Sequence, residues 1–298
     1  MSIWDSIIQG FVQGATEFLP VSSSGHLSIV QHFLGGGEEN SMMFSLLLHL
    51  GTLIAVFIAY RKLIGELIVE FCKMIGDIFK GKFSFKTINT KQLMALMVIL
   101  SIIPTFLLMI PVGGGMKAKD LIAKVSEDKD IIIEGICFLI TGIILIVATA
   151  IDKKRAADGI ERRTRVGVKD ALVMGSAQAL AAMPGISRSG STTTTGMLCG
   201  LEKNTALAFS FIMGIPAILG ANILEFGDAM EQGVNFGVVE AVFGIVVSAV
   251  VGIIAIKLLK WVVNNNKLNY FGWYCIILSA AVIGIGIYEH ISGKVLSF

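Results

Sequence analysis

The sequence predicts an all-α polytopic membrane protein: six transmembrane helices plus two re-entrant helical hairpins in an inverted-topology internal repeat. Three observations predict it. First, 54% of the 298 residues are apolar and only 15% are charged, with a mean hydropathy of +0.79; a soluble domain carries roughly 25% charged residues. Second, six apolar stretches (43–61, 95–112, 131–151, 205–225, 238–259 and 270–289) approach the ~20 residues that a bilayer crossing needs. Third, the two halves of the chain match each other at a fixed offset of 165 residues. The net charge of +2 gives no basic surface for nucleic acid, so that partner is excluded and the bilayer is the expected one. Asp5 interrupts the first apolar stretch and no basic region precedes it, so no cleavable leader is expected.

Residues 1–34 hold two short helix-like stretches broken by "LPVSSSG", and 168–201 hold two more broken by "MPGISRSG". Neither arm is long enough to cross, which predicts re-entrant hairpins; broken backbone at membrane depth must be satisfied by protein or a water-filled cavity. The span 43–61 leads into a basic segment, 61–91, with seven Lys and Arg residues. Within it Glu66, Glu70, Lys73 and Asp77 fall at spacings of four, three and four, one polar face of an interfacial amphipathic helix. The second basic segment, 152–169, also carries seven. The positive-inside rule puts both in the cytoplasm. Spans 43–61 and 131–151 then run inward and 95–112 outward. The segment 113–130 lies outside, its lysines balanced by Asp120, Glu127, Asp128 and Asp130. Span 205–225 runs outward to a connection holding Glu225, Asp228 and Glu231. Span 238–259 returns to Lys257, Lys260 and Lys267, where Trp261, Tyr270 and Trp273 suit a membrane–water interface. Both termini are expected outside. The four cysteines, Cys72, Cys137, Cys199 and Cys275, read as small core residues.

The repeat holds one register without a gap. "DSIIQGFVQG" at 5–14 faces "DALVMGSAQA" at 170–179, "VSSSG" at 21–25 faces "ISRSG" at 186–190, and "FSLLL" at 44–48 faces "FSFIM" at 209–213. Three blocks in one register argue for duplication. The chain is therefore one membrane domain, 1–298, with repeats of about 1–151 and 166–289. Spans 43–61 and 205–225 run in opposite directions, so the halves are inverted. Sites in such folds lie at the repeat interface near midplane, where the two tips are expected to meet.

The second tip suits a phosphate. Pro184 and Gly185 break the helix, Ser187, Ser189, Ser191 and Thr192 offer hydroxyls, and Arg188 offers a planar cationic fork. The residues after Gly190 are expected to open a helix whose free N–H groups favour an anion. The first tip adds ionisable groups. Glu17 can bind a divalent metal or act as a base. His26 can transfer a proton or attack phosphorus. Ser22, Ser23 and Ser24 can contact phosphate or serve as nucleophile. At the matching places the second half has Ala182 for Glu17, Arg188 for Ser23 and Ser191 for His26. Gln13 and Gln178 match each other and either line the site or bridge helices. His32 and His49 receive no role; Gly214 stands at the place of His49 in the repeat.

These residues resemble the bacterial undecaprenyl pyrophosphate phosphatase, or bacitracin-resistance, family. Gln13 to Glu17 and the following "FLPVSSSGH" match its first motif, with Ser23 and His26; "PGISRSGST" matches its second, with Ser187, Arg188, Ser189 and Thr192. Gln13 takes a slot that is glutamate in some members, leaving Glu17 as the motif's one carboxylate. The resemblance implies hydrolysis of undecaprenyl pyrophosphate to undecaprenyl phosphate and inorganic phosphate. It also implies recycling of the lipid carrier for peptidoglycan synthesis, bacitracin resistance, and a site facing the outer side of the bacterial cytoplasmic membrane. The implied catalytic set is His26, Glu17, Ser23 and Arg188. Ser22, Ser24, Ser187, Ser189, Thr192, Gly185, Gln13 and Gln178 would bind pyrophosphate, with a divalent cation (magnesium or calcium) at Glu17. The nucleophile stays open between His26, Ser23 and water, and a homodimer is one assembly open to it.

Two rivals are weighed. An acid phosphatase-like lipid phosphatase needs histidine and aspartate where this chain has Thr194 and Leu198, and fails. An anion or polyprenyl-lipid transporter or flippase would show the same inverted repeat. Glu17 and His26, present in one tip only, favour the enzyme.

Overall fold

The computed structural model describes residues 2–34, 38–84, 87–108, 110–113, 116–117, 131–231 and 237–293. Among them are eleven helices: α1 (Ile3–Phe18), α2 (Ser23–Leu34), α3 (Glu38–Ala59), α4 (Arg61–Phe79), α5 (Thr90–Leu107), α6 (Ile132–Ala157), α7 (Val168–Leu180), α8 (Arg188–Leu198), α9 (Lys203–Glu231), α10 (Val238–Asn264) and α11 (Leu268–Ser292). A short antiparallel pair, Pro111–Gly113 with Met116–Lys117, follows α5.

Among the described residues, five helices are long and apolar enough to cross a membrane: α5, α6, α9 up to Ile223, α10 and α11. A further bent pair passes the same test only when taken together: Phe44–Ala59 of α3 and all of α4 meet at an angle of 82° around Tyr60, so the candidate spans number five or six. That bend lays α4 across the end of α3, as the amphipathic pattern of 61–79 requires, with Ile68, Val69 and Phe79 exposed. Ile254, Ile277, Val250 and Ile143 are exposed on the long helices as well. So much exposed apolar surface fits lipid and not water. Trp261, Tyr270 and Trp273 are exposed around the α10–α11 turn, and the Lys267 ammonium lies 4.5 Å from the Trp261 ring centroid.

Some sequence expectations shift. Span 95–112 is a helix over Thr90–Leu107, because Asn89 caps its start through the Lys91 and Gln92 amides and the β pair begins at Pro111. Glu225, Asp228 and Glu231, expected in a connection, belong to α9. The second hairpin's helix opens at Arg188, not after Gly190, because Ser187 caps it by accepting from the Gly190 amide. Cys137 and Cys275 are buried as expected, but Cys72 is exposed on α4. The expected outside segment 113–130 lies almost wholly outside the described residues.

Small residues set the helix spacing. α1 packs on α10, and α7 packs on α5. The contact points are matching glycines of the two halves. A β-carbon on Gly10 would lie 2.8 Å from the Gly244 carbonyl oxygen, and one on Gly175 would lie 3.0 Å from the Ser101 carbonyl carbon. Between α6 and α11 two glycines face each other. A β-carbon on Gly142 would lie 2.7 Å from the Gly272 oxygen, and one on Gly272 2.9 Å from the Gly142 oxygen. The open end of the second hairpin is bolted by the basic segment before it. Arg163 makes a two-pronged bond to Asp170 at 3.0 Å per prong and also donates to the Cys199 carbonyl at 2.8 Å. Arg155 donates to the Leu198 carbonyl at 2.5 Å. Both guanidiniums thus sit on the C-terminal carbonyls of α8, where a cation is favoured.

Candidate active site

Each tip is shaped by its own sequence. Pro20 forces Leu19 into extended backbone, which ends α1. Ser22 then takes φ of +69°, rare for a residue with a side chain, and its hydroxyl accepts from the Gly25 amide at the start of α2. The second tip turns at Gly185, φ +93°, and Ser187 caps α8. Ser22 and Ser187 therefore do the same local work in the two halves.

The tips touch. The Gly185 amide donates to Ser22 Oγ at 3.1 Å, and Ser189 Oγ donates to the Leu19 carbonyl at 3.1 Å. The approach needs two glycines, since a β-carbon on Gly25 would lie 2.9 Å from Gly185 Cα and one on Gly185 would lie 2.5 Å from Cys137 Cβ. Thr141 of α6 holds the second tip, its hydroxyl donating to the Gly185 carbonyl at 2.9 Å and accepting from the Ser187 amide at 3.0 Å.

At the junction lies Glu17, with its side chain 4% exposed. Its Oε1 pairs with Arg188 Nη2 of the opposite tip. Its Oε2 accepts from Ser23 Oγ at 2.6 Å and from Gln13 Nε2 at 2.9 Å. His49 Nε2 stands 3.7 Å from the same Oε2. A buried carboxylate is costly unless paired and hydrogen-bonded, and four groups converge on this one. Glu17, Ser23, His49 and Arg188 face a cavity of about 320 Å³. Its polar wall includes Glu17, Ser22, Ser23, Ser24, His49, Gln178, Ser187 and Arg188, with Thr16, Thr105 and Asn222 beside them; the remainder is alanine, leucine and isoleucine. Gln178 is 5% exposed, and neither its amide nitrogen nor its oxygen has a hydrogen-bond partner among the described residues.

The sequence-derived residues divide. Glu17, Ser22, Ser23, Ser24, Gln178, Ser187 and Arg188 line the cavity. Gln13, His26, Gly185, Ser189 and Thr192 do not. Gln13 lies beneath Glu17. Thr192 donates to the Arg188 carbonyl at 2.7 Å and is 2.5 Å from Ser210 Oγ. His26 Nδ1 is 2.7 Å from the Ser22 carbonyl and Nε2 is 2.7 Å from the Tyr274 hydroxyl. A carbonyl only accepts, so Nδ1 carries hydrogen there. The ring stacks on Tyr274 and meets Phe138 edge-on. His49, passed over in the sequence, stands on the wall. Its signal was its place in "FSLLLHLG", a polar residue in an apolar run that the repeat aligns with the neighbourhood of Arg188.

Residues 6–281 match the model of the family described as bacitracin resistance protein BacA. The chain belongs to the BacA family. Proteins named undecaprenyl-diphosphatase resemble it end to end. One from Alkaliphilus metalliredigens is 37% identical over 95% of this chain and 98% of its own length. One from Treponema denticola is 36% identical over 97% and 98%, and one from Methanosphaera stadtmanae 35% identical over 95% and 98%. Membership in the BacA family accords with a multi-pass chain whose polar residues cluster at two facing tips.

Proposed function

We propose that this chain hydrolyses undecaprenyl pyrophosphate to undecaprenyl phosphate and inorganic phosphate. The observation that carries the reading is the contact of Glu17 with both Ser23 and Arg188 on one cavity wall. A carboxylate bonded to a hydroxyl is a base poised on a nucleophile; a guanidinium beside it suits phosphate oxygens. The relatives' names supply the substrate. A cavity of about 320 Å³ is at the small end of ligand sites, ~300–1,000 Å³. It suits the pyrophosphate head and leaves the prenyl chain outside, in lipid.

Arg188 binds the terminal phosphoryl group. Ser23 Oγ attacks its phosphorus while Glu17 Oε2 takes the hydroxyl proton. The bond from phosphorus to the bridging oxygen breaks, and undecaprenyl phosphate leaves with that electron pair. Glu17 passes the serine's proton to solvent or to the departing phosphate. Water then attacks the phosphoserine and gives Glu17 a proton. The phosphorus–Oγ bond breaks, Glu17 returns that proton to Ser23 Oγ, and inorganic phosphate is released. Arg188 and the Gln178 amide offset charge on the phosphoryl oxygens, the main contribution a site makes to such transfers. His26 acts through the Ser22 carbonyl, holding the tip in its left-handed turn.

A divalent cation held by the protein alone does not fit. Among the described residues no group of three or more His, Cys, Asp and Glu side chains could hold one. Glu17 already has both oxygens engaged, one of them by a cation. Any magnesium or calcium would arrive with the pyrophosphate.

We read α1–α2 and α7–α8 as the two re-entrant hairpins of inverted repeats within one domain. The matching contacts of Gly10 with α10 and Gly175 with α5 support this. In that topology the site faces the outer side of the bacterial cytoplasmic membrane and both termini lie outside. The activity would recycle the lipid carrier of peptidoglycan synthesis and confer bacitracin resistance. A transporter has no need of the Glu17–Ser23 bond.

The test is phosphate release from undecaprenyl pyrophosphate by detergent-purified protein, with a search for labelled phosphoserine at Ser23. Absence of turnover alongside lipid transport in liposomes would overturn the reading.

A further inference from the structure

We infer that Thr105 and Gln178 form a second, neutral phosphate subsite in the cavity, one that holds the phosphate remaining with the lipid and makes the site select a diphosphate over a monophosphate. The inference deepens the proposed function and rests on it.

Three observations converge. First, Thr105 and Gln178 carry the orphaned polar atoms of the cavity wall. Both residues line the cavity. Gln178 is 5% exposed, and its amide nitrogen, its amide oxygen and Thr105 Oγ1 are buried with no hydrogen-bond partner among the described residues. Their neighbours on the wall are served by the protein itself: Thr16 donates to the Val12 carbonyl and Asn222 to the Ile218 carbonyl. Unpaired buried polar atoms are costly, so three of them on one wall point to a polar occupant.

Second, Thr105 departs from other helical threonines of the chain. Thr16, Thr149, Thr192 and Thr194 spend their hydroxyls on carbonyls four residues back. Thr105 makes no such bond. It follows Pro104, where α7 packs so closely that a β-carbon on Gly175 would lie 3.2 Å from Pro104 Cδ. Gln178 comes one turn after Gly175 on α7. The helix contact that joins α5 to α7 thus brings both side chains to the cavity.

Third, the repeat shows what Gln178 has lost. Gln13 and Gln178 match in the 165-residue register. Gln13 Nε2 donates to Glu17 Oε2 at 2.9 Å. Four residues after Gln178 stands Ala182, and Ala182 lines the cavity. Gln178 therefore keeps the donor and lacks the carboxylate. A phosphate oxygen takes that place, with the Thr105 hydroxyl as a second donor and Gln178 Oε1 left to water.

Which phosphate sits there follows from the attack. Arg188 and Ser23 engage the terminal phosphoryl group, and the leaving oxygen lies in line with the attacking one. The second phosphate is thereby turned away from Ser23, toward donors that the tips do not supply. Those donors are neutral, and charge-assisted bonds are the stronger kind, so the lipid phosphate is held for the reaction and then let go.

The experiment is equilibrium binding of inorganic phosphate and of inorganic pyrophosphate to the purified full chain at one magnesium concentration. The proteins are wild type, Thr105→Val, Thr105→Ser and Gln178→Leu. Thr105→Val should weaken pyrophosphate by about 10-fold or more, the worth of a hydrogen bond to a charged group, and phosphate by less than about twofold. Thr105→Ser keeps the hydroxyl and should bind pyrophosphate as wild type does, while Gln178→Leu should repeat the valine pattern. Unchanged pyrophosphate binding in a folded Thr105→Val or Gln178→Leu protein means a recess that holds water only, and overturns the inference. So does an equal loss of both ligands, the result of a damaged fold or of a single subsite. Gln178→Leu decides alone where the valine variant does not fold. A wild type that shows this discrimination yet releases no phosphate from undecaprenyl pyrophosphate would instead sink the proposed function.

Discussion

Gly214→Ala should inactivate the protein without unfolding it. Gly214 is buried in α9, and no ligand contact of its own is needed for the effect. The added β-carbon would lie 3.1 Å from Arg188 Cζ and nearer to Nη1, where carbon–carbon contacts prefer 3.5–4.0 Å. The guanidinium must therefore move by about 1 Å or turn. Its bond to Glu17 Oε1 tolerates only a few tenths of an ångström, so the pairing breaks. Losing one preorganised donor to a charge-developing oxygen costs about 2.7–4 kcal/mol, or 10²- to 10³-fold in kcat. The displaced group is the end of a flexible side chain beside a cavity, so the helices need not shift. The assay is phosphate release by wild type, Gly214→Ala, Arg188→Ala and the double variant, each checked for thermal midpoint. If the glycine acts by making room for the arginine, the double variant should be no worse than Arg188→Ala. Wild-type activity in Gly214→Ala, or a further large loss in the double variant, would refute the reasoning.

Ser23→Ala should lower kcat by about 10³-fold or more, as loss of a nucleophile does, while Ser24→Ala changes it by less than about 10-fold; equal losses measured in phosphate release would remove Ser23 from the attack. Gly185→Ala places a side chain at φ +93° and 2.5 Å from Cys137 Cβ, combining left-handed strain of about 1–2 kcal/mol with overpacking of about 1–3 kcal/mol. Thermal denaturation should show a midpoint lower by on the order of 5–10 °C, and an unchanged midpoint would mean the second tip does not pack on α6 as described. Manganese should bind only together with pyrophosphate in electron paramagnetic resonance titrations; tight binding to the substrate-free protein would show a cage that the donor set around Glu17 lacks.

The spans were legible because apolar runs and charge asymmetry are one-dimensional signals. What escaped were the ends. Asn89 moves α5 toward the N-terminus by capping, and α9 runs through Glu225 and Asp228 although both read as loop residues. The 82° bend at Tyr60 has no proline or glycine at its centre; the sign in the sequence was the change from a uniformly apolar pattern to an amphipathic one. At the site, Glu17, Ser23 and Arg188 stood out as polar groups in apolar surroundings. Residue type could not say which way a ring turns. His26 points to Tyr274, while His49 points to Glu17. Gly214 opposite His49 in the repeat read as a lack of function, and its meaning depends on where Arg188 lies in three dimensions.

That pairing explains why a duplicated fold would lose its symmetry at this site. Two identical tips meeting at a junction would bring like groups together, carboxylate to carboxylate or guanidinium to guanidinium. At 4 Å and an effective dielectric of 20, two like charges repel by about 4 kcal/mol, and binding a pyrophosphate would relieve only the cationic case. Replacing one carboxylate by Ala182 and one imidazole position by Gly214 converts the clash into the Glu17–Arg188 pair. It also leaves the cavity that Ala182 lines. The paired groups neutralise each other while the site is empty, so the buried charges need no counter-ion. When a phosphate takes the guanidinium, Glu17 is released from its cation with Ser23 still bonded to its other oxygen. Its basicity then rises at the moment the nucleophile must lose a proton. On the proposed mechanism, the division of labour between the two tips would therefore couple substrate binding to activation of the attacking hydroxyl, which two identical tips could not do.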